Sequence, residues 1–98
     1  MLKVKVDRET MVKAIDWYAK DNHALTAVIE DDEDLRDWAR WVLTEVSSYQ
    51  PEELTAAGLV LSVDDAGVTV AIQSGKVGDD VLEAVSTHVW ASQNLGDL

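Results

Sequence analysis

Apolar and polar residues alternate at the start of the chain, where Leu2, Val4 and Val6 are separated by lysines. Because side chains on a strand point alternately to opposite faces, this pattern predicts a β-strand with one buried and one solvated face. From residue 8 to about residue 21 the apolar positions recur every three or four residues instead. That period predicts an amphipathic helix, with Asp7 as its N-cap.

A second helix is predicted from the acidic run 30–34 to about residue 49, and its periodicity is the most regular in the chain. Its apolar stripe consists of Leu35, Trp38, Ala39, Val42, Val46 and Tyr49. The short apolar segment 23–30 before this helix suits either a buried strand or a buried helical turn. We interpret it as a strand.

Two alternating segments, 59–63 and 68–72, flank the turn residues 64–67 and predict a β-hairpin. Before the hairpin, Pro51 is suited to the first position of a short helix that Gly58 would end. After the hairpin a further helix is expected.

Residues 75–78 are expected to form a loop, and Asp79 or Asp80 to cap the last helix. The apolar side of that helix carries Val81, Val85, His88 and Val89. The tail from residue 93 is expected to fray.

A chain of 98 residues suffices for one hydrophobic core but not for two, so residues 1–98 are expected to form a single domain. The order of elements predicts an α+β fold, with a small mixed or antiparallel sheet that includes a 59–74 hairpin and three main helices packed on one face. The large residues expected in the core are Leu35, Val42, Val46, Leu61, Val70 and Ile72.

Charge is distributed unevenly along the chain. The net charge is −11, and after residue 20 there are sixteen acidic residues but only three basic ones, Arg36, Arg40 and Lys76. Such a field governs solubility and the rate at which charged partners arrive. It disfavours direct binding of DNA or RNA, whose phosphates it repels.

Helix capping explains many of the acidic residues, because carboxylates are favoured at helix starts. Asp7, the run 31–34 and the pairs Glu52–Glu53 and Asp79–Asp80 all lie at predicted starts. Capping does not explain the scarcity of lysine and arginine, since an ordinary soluble surface mixes both signs.

The sequence carries no recognisable catalytic or metal-binding motif. The acidic run lacks the central glycine and the alternating ligands of an EF-hand loop, and His23 and His88 are isolated from each other. Ser74, Gly75 and Lys76 lack the earlier glycine of a phosphate-binding loop, and no serine lies in a nucleophile elbow. We therefore expect no cofactor, no metal and no enzymatic activity.

The location of the protein is inferred from what its composition lacks. No apolar run approaches the roughly 18 residues of a membrane span, and the first residues do not form the apolar core of a signal peptide. With no cysteine, disulfides and thiolate chemistry are excluded and the redox compartment is left open. We expect a cytoplasmic protein that does not bind a membrane.

Four tryptophans and no phenylalanine are an unusual aromatic composition. On helical wheels only Trp38 lies in the apolar stripe of its helix, whereas Trp17, Trp41 and Trp90 lie outside theirs. Packing at the boundary of the core explains such amphipathic side chains. Contact with a partner is the alternative, because tryptophan is enriched at binding hot spots.

These features favour a non-enzymatic acidic protein that binds a basic, usually nucleic-acid-binding, surface of a partner protein and blocks it. Carboxylates three or four residues apart on a helix lie about 4.5 to 6 Å apart along its axis, so a helix face can imitate the charge row of a nucleic acid. Phage-encoded DNA mimics and anti-restriction or anti-CRISPR inhibitors work this way. The residues expected to contact the partner are Glu30, Asp31, Asp32, Glu33, Asp34, Asp37, Trp41 and Glu45.

Two alternatives remain open. An immunity or antitoxin protein that neutralises a basic toxin requires the same acidity and the same lack of catalysis. A homo-oligomeric assembly domain, such as a homodimer, would use the off-stripe tryptophans as its subunit interface.

Overall fold

The chain forms a three-stranded antiparallel sheet with helices on one face, which confirms the predicted α+β fold. The computed structural model describes residues 2–21 and 26–89. In chain order its elements are β1 (Leu2–Asp7), α1 (Arg8–Asp21), α2 (Asp32–Ser47), α3 (Pro51–Ala56), β2 (Val60–Asp64), β3 (Gly67–Ile72) and α4 (Lys76–Ala84), which continues into a π-helical turn at Val85–Val89.

β3 is the central strand, and the sheet order is β1–β3–β2. Val70 lies opposite Val4 on one side and Leu61 on the other. The hairpin turn is stabilised by Asp64, whose Oδ1 accepts hydrogen bonds from the backbone N–H groups of Ala66 and Gly67 at 2.8 and 3.0 Å. The alternating strand segments predicted from the sequence therefore form the expected hairpin.

The core lies between this sheet and the helices. α1 packs against β1 and β3, α2 packs against β2, and α4 packs against β1. Five of the six large residues expected in the core are buried, but Val46 is only half-buried because it lines an open cleft near the end of α2. The largest fully buried side chains are Met11, Ile15, Leu35, Val42, Leu43, Leu54, Val68, Val70, Ile72, Val81 and Val85.

Asp7 caps α1, as the sequence predicts. Its Oδ2 accepts hydrogen bonds from the backbone N–H of Thr10, at 3.2 Å, and from the Thr10 hydroxyl. The hydrogen bond from the hydroxyl is the main reason that the pKa of Asp7 is lowered. The buried Thr10 thus finds its partner in the carboxylate that begins the helix.

α2 ends two residues earlier than its periodicity predicts. Ser48 adopts the left-handed conformation with φ of 64°, and its N–H donates to the Thr44 carbonyl at 3.1 Å. This αL residue turns the chain out of the helix, so Tyr49 lies beyond α2.

The predicted strand at 23–30 is wrong for its described part, since residues 26–30 form no regular structure. Ala27 and Ile29 pack against the core while Val28 is 60% exposed. The apolar run in this segment therefore reflects partial burial of an irregular chain, without pairing to a strand.

The loop predicted at 75–78 and the cap predicted at Asp79 or Asp80 are also wrong. α4 begins at Lys76 after Gly75, whose carbonyl accepts from the Asp79 N–H at 2.9 Å. Gly78 is buried inside this first turn, and a Cβ there would lie 2.2 Å from the Gln73 carbonyl oxygen. The glycine permits a close contact with the backbone, and it does not mark a loop.

Several expectations lie outside the described residues. They concern His23, Trp90, the tail from residue 93 and the side chains of His88 and Val89.

Candidate partner-binding surface

Two of the acidic residues expected at the interface are engaged in starting α2. The Oδ1 atom of Asp31 accepts from the Asp34 N–H at 2.9 Å, as an N-cap does. The Oδ2 atom of Asp34 in turn accepts from the Glu30 N–H at 3.0 Å. These two carboxylates have a structural role that explains their presence without a partner.

Asp32 is paired within the protein. Its Oδ1 lies 2.8 Å from Nη2 of Arg8, and Nη1 of Arg8 also donates to the Asp64 carbonyl oxygen at 3.1 Å. The guanidinium group thereby connects the hairpin to the start of α2, and it offsets the charge of Asp32.

The other acidic residues of α2 form a row with an aromatic side chain in it. Glu33, Asp37, Trp41 and Glu45 are spaced four residues apart, and we call this row the acidic ridge. Residues four apart lie on one helix face with a rise of about 6 Å between them. Within the described part of the chain, the three carboxylates make no ion pair or hydrogen bond, and all three are exposed.

Glu30 is exposed just before the helix, and its side chain likewise contacts no charged group in the described ranges. The structure therefore separates the eight expected contact residues into two groups. Three have partners inside the protein, namely Asp31, Asp32 and Asp34, and five are available at the surface, namely Glu30, Glu33, Asp37, Trp41 and Glu45.

Trp41 is half-buried on the acidic ridge and packs against the core. Its ring meets that of Trp38 edge to face, with a centroid distance of 5.5 Å and an interplanar angle of 86°. This contact orients the indole, because edge-to-face pairs are favoured by the ring quadrupoles. The part of the ring that remains accessible lies between Asp37 and Glu45 along the helix.

Two arginines run beside the acidic ridge. Arg36 and Arg40 are also four residues apart and lie on the adjacent row of the helix surface, which we call the arginine ridge. Arg36 is exposed and makes no ion pair with a described residue, while Arg40 donates only a long hydrogen bond of 3.4 Å to the Thr55 hydroxyl. The four-residue spacing in the sequence was sufficient to find the arginine ridge, but the sequence-based prediction of the interface included only the acidic residues and Trp41.

Most of the other basic side chains form ion pairs with acidic side chains of the same protein. Besides Arg8, three lysines form ion pairs, Lys5 with Asp64 at 3.2 Å, Lys13 with Glu9 at 3.5 Å and Lys76 with Asp80 at 3.4 Å. The hydrogen bond from Lys5 is the main cause of the lowered pKa of Asp64. The first twenty residues contain five basic and three acidic side chains, and the ion pairs of Lys5, Arg8 and Lys13 offset part of that positive charge.

A polar cleft of about 260 Å³ lies between the end of α2 and α4. Asp80, which lines this cleft, accepts a hydrogen bond at its Oδ2 from the Tyr49 hydroxyl at 2.7 Å. This hydrogen bond is the main reason that the pKa of Asp80 is lowered and that of Tyr49 is raised. The cleft is lined by Val46, Ser47, Asp80, Glu83, Ala84 and Thr87.

Trp17 on α1 is the most exposed described tryptophan, at 47%. Its ring lies edge to face with Tyr18, at a centroid distance of 4.7 Å. The helical wheel predicts that Trp17 lies outside the apolar stripe of α1, and its exposure agrees with that prediction. Trp41 differs, because it is only half exposed and also contacts the core.

Residues 2–21 and 26–89 contain no group of three or more histidine, aspartate or glutamate side chains arranged to hold a metal ion. None of the helices among these residues is long and apolar enough to cross a membrane. Comparison of the chain with protein-family models, with curated proteins and with solved structures finds no match.

Proposed function

We propose that the protein is a non-enzymatic binding protein that uses α2 to occupy a basic surface of a partner protein and thereby inhibits the partner. The observation that carries the proposal is the acidic ridge, in which three exposed carboxylates, unpaired among the described residues, flank a half-buried tryptophan that contacts Trp38 edge to face. Charge complementarity would steer the two proteins together, and the indole would provide the desolvated contact that slows dissociation.

Asp37 and Glu45 have no part in starting α2, which supports a role outside the fold. Asp31 caps the helix and Glu33 lies in its first turn, where the helix dipole favours an acid, but Asp37 and Glu45 lie beyond that turn. The like charges of Glu33 and Asp37 at i and i+4 oppose each other by about 0.2–0.5 kcal/mol, and Arg36 and Arg40 at the i+3 positions offset this repulsion. A partner with basic side chains would add attraction to the acids that capping does not explain.

The partner class that fits this proposal is a protein with a basic, nucleic-acid-binding surface, as in inhibition by phage-encoded DNA mimics and anti-restriction or anti-CRISPR proteins. An immunity protein that neutralises a basic toxin would use the same contact. In both cases the protein itself would bind neither nucleic acid nor membrane and would act in the cytoplasm.

Affinity capture from host lysate at low and high salt would identify the partner, followed by measurement of the partner's activity with the purified protein. The double variant Glu33→Lys/Asp37→Lys should weaken inhibition at least tenfold and reduce its salt dependence, because rim charges set the association rate. A control of equal net charge is Asp16→Lys/Asp21→Lys on α1, where both side chains are exposed. Equal inhibition by wild type and the ridge variant would contradict the proposal.

A further inference from the structure

We infer that the element docked on α2 is an α-helix of the partner that carries a basic row beside an acidic row, and not a uniformly basic groove for phosphates. The inference rests on the proposed binding of a partner through α2, but it departs from the comparison with DNA mimics, because a partner helix with two charge rows replaces the uniformly basic groove. It starts from the arginine ridge, which a purely acidic description of α2 leaves out.

The position of the two arginines is informative because basic residues are scarce. Two of the three basic residues after residue 20 lie next to the acidic ridge. Arg36 is three residues from Glu33, and Arg40 is three residues from Asp37, but neither arginine forms an ion pair within 4.0 Å among the described residues. Arg36 therefore presents its charge to solvent, while the half-buried Arg40 makes only its 3.4 Å hydrogen bond to Thr55 and leaves its charge unpaired among the described residues.

Helices dock by fitting the side-chain ridge of one into the groove of the other. The groove between the acidic ridge and the arginine ridge is bordered by negative charge on one side and by positive charge on the other. A partner helix seated there would place basic side chains against Glu33, Asp37 and Glu45, and acidic side chains against Arg36 and Arg40. From residue 33 to residue 45 the rise is about 18 Å, which about three turns of a partner helix would match.

A groove that binds phosphates is a poorer match for this surface. Its basic side chains would approach both ridges together, and Arg36 and Arg40 would be repelled, since juxtaposed like charges oppose association. The uniformly basic partner and the striped partner therefore predict opposite effects for removal of the two arginines.

Two alanine-based helical peptides of about 20 residues can serve as probes. The striped peptide carries a lysine row at every fourth position with a glutamate row beside it. The uniform peptide carries the same lysine row with glutamine in place of glutamate, so it has the greater positive charge. Binding of both is measured by fluorescence anisotropy to wild type, to Arg36→Glu/Arg40→Glu, and to a control of equal net charge, Lys13→Glu/Lys20→Glu on α1.

We expect the arginine variant to shift the ratio of the two affinities toward the uniform peptide by at least about tenfold more than the control does. The milder variant Arg36→Gln/Arg40→Gln, which adds no repulsion within α2, should shift the ratio in the same direction. Three results would overturn the inference. They are a shift in the affinity ratio no larger than that of the control, tighter binding of both peptides to the arginine variant, and no binding of the striped peptide to wild type. The proposed function is tested separately, because Glu33→Lys/Asp37→Lys should weaken both peptides whichever partner class is correct.

Discussion

The guanidinium of Arg8, at the first position of α1, lies 2.8 Å from the carboxylate of Asp32, at the first position of α2. The two residues are 24 positions apart in the chain. Because Arg8 also donates to the Asp64 carbonyl, one side chain joins the starts of two helices to the hairpin. Asp32 is thereby assigned to the fold, although the sequence placed it in the candidate interface.

The first prediction concerns this ion pair. Arg8→Ala should destabilise the protein more than Asp32→Ala does, since it also leaves the Asp64 carbonyl without this donor. Both side chains are partly exposed, so the pair itself should couple by only about 0.2–1 kcal/mol. A double-mutant cycle measured by urea unfolding checks this. Equal losses from the two single variants would contradict the assigned role of Arg8.

Trp41→Ala is expected to separate binding from folding. If Trp41 is a partner contact, the substitution should cost about 2 kcal/mol or more of binding free energy, mainly through faster dissociation. The contact of Trp41 with Trp38 means that some stability will also be lost.

The measurements for Trp41→Ala are partner kinetics and thermal unfolding on the same sample. Asp37→Lys provides the comparison, because it should slow association while leaving the fold intact. Unchanged partner kinetics in a destabilised Trp41→Ala protein would remove this residue from the interface.

Gly78→Ala should destabilise the protein, which is the reverse of the usual effect. In an exposed helix interior, replacing glycine by alanine gains about 1 kcal/mol. Here the new Cβ would lie 2.2 Å from the Gln73 carbonyl oxygen, so α4 must shift, at a cost of about 1–3 kcal/mol. Denaturant unfolding measures the sign, with Asp79→Ala in the same turn as a control expected to stay within about 0.5 kcal/mol.

Stability should fall in acid because several carboxylates titrate abnormally. Asp7, Asp64 and Asp80 each have a pKa lowered from the usual 3.8 by hydrogen bonds made in the folded state. A group with a lower pKa in the folded state contributes stability above its unfolded pKa, and that contribution is lost as the pH falls through the folded value. Unfolding midpoints measured from pH 5 downward should decrease, and Asp80→Asn should reduce the slope.

The hydrogen bond between Tyr49 and Asp80 predicts the opposite dependence in base. The pKa of Tyr49 is raised above its usual 10.0, chiefly by its hydrogen bond to Asp80. Its contribution is present below the unfolded pKa and is lost as the pH rises through the folded value. Tyr49→Phe should reduce the loss of stability in base but not abolish it, because burial also raises the pKa of Tyr18. An unchanged alkaline slope in that variant would contradict the prediction.

Self-association through the off-stripe tryptophans remains a prediction of the assembly alternative. Trp17 is the described tryptophan best placed for it, at 47% exposure. If this alternative is correct, sedimentation equilibrium should show a dimer at micromolar concentration that Trp17→Ala converts to a monomer. A monomeric wild type, or a dimer that is insensitive to Trp17→Ala, would exclude an interface centred on this residue.

Local patterns in the sequence determined much of the fold. The period of two in 2–6 and the periods of three and four in α1 and α2 identify these elements, because a one-sided core demands that periodicity. Turn and cap residues also act over short distances, so Asp7, Asp31 and the hairpin turn were predictable. The acidic ridge was also predictable from the sequence, because its residues are four positions apart on one helix.

Only the tertiary structure decided which charged side chains form ion pairs and which segments of the chain pair or pack with others. The apolar run within residues 26–30 suits a strand, yet only Ala27 and Ile29 pack against the core and the segment pairs with no strand. Gly78 suits a loop by its composition, but in the fold it permits α4 to approach the Gln73 backbone. Arg8 and Asp32 meet because the hairpin and two helix starts converge. Such contacts depend on distances between residues far apart in the chain, and local periodicity carries no information about those distances.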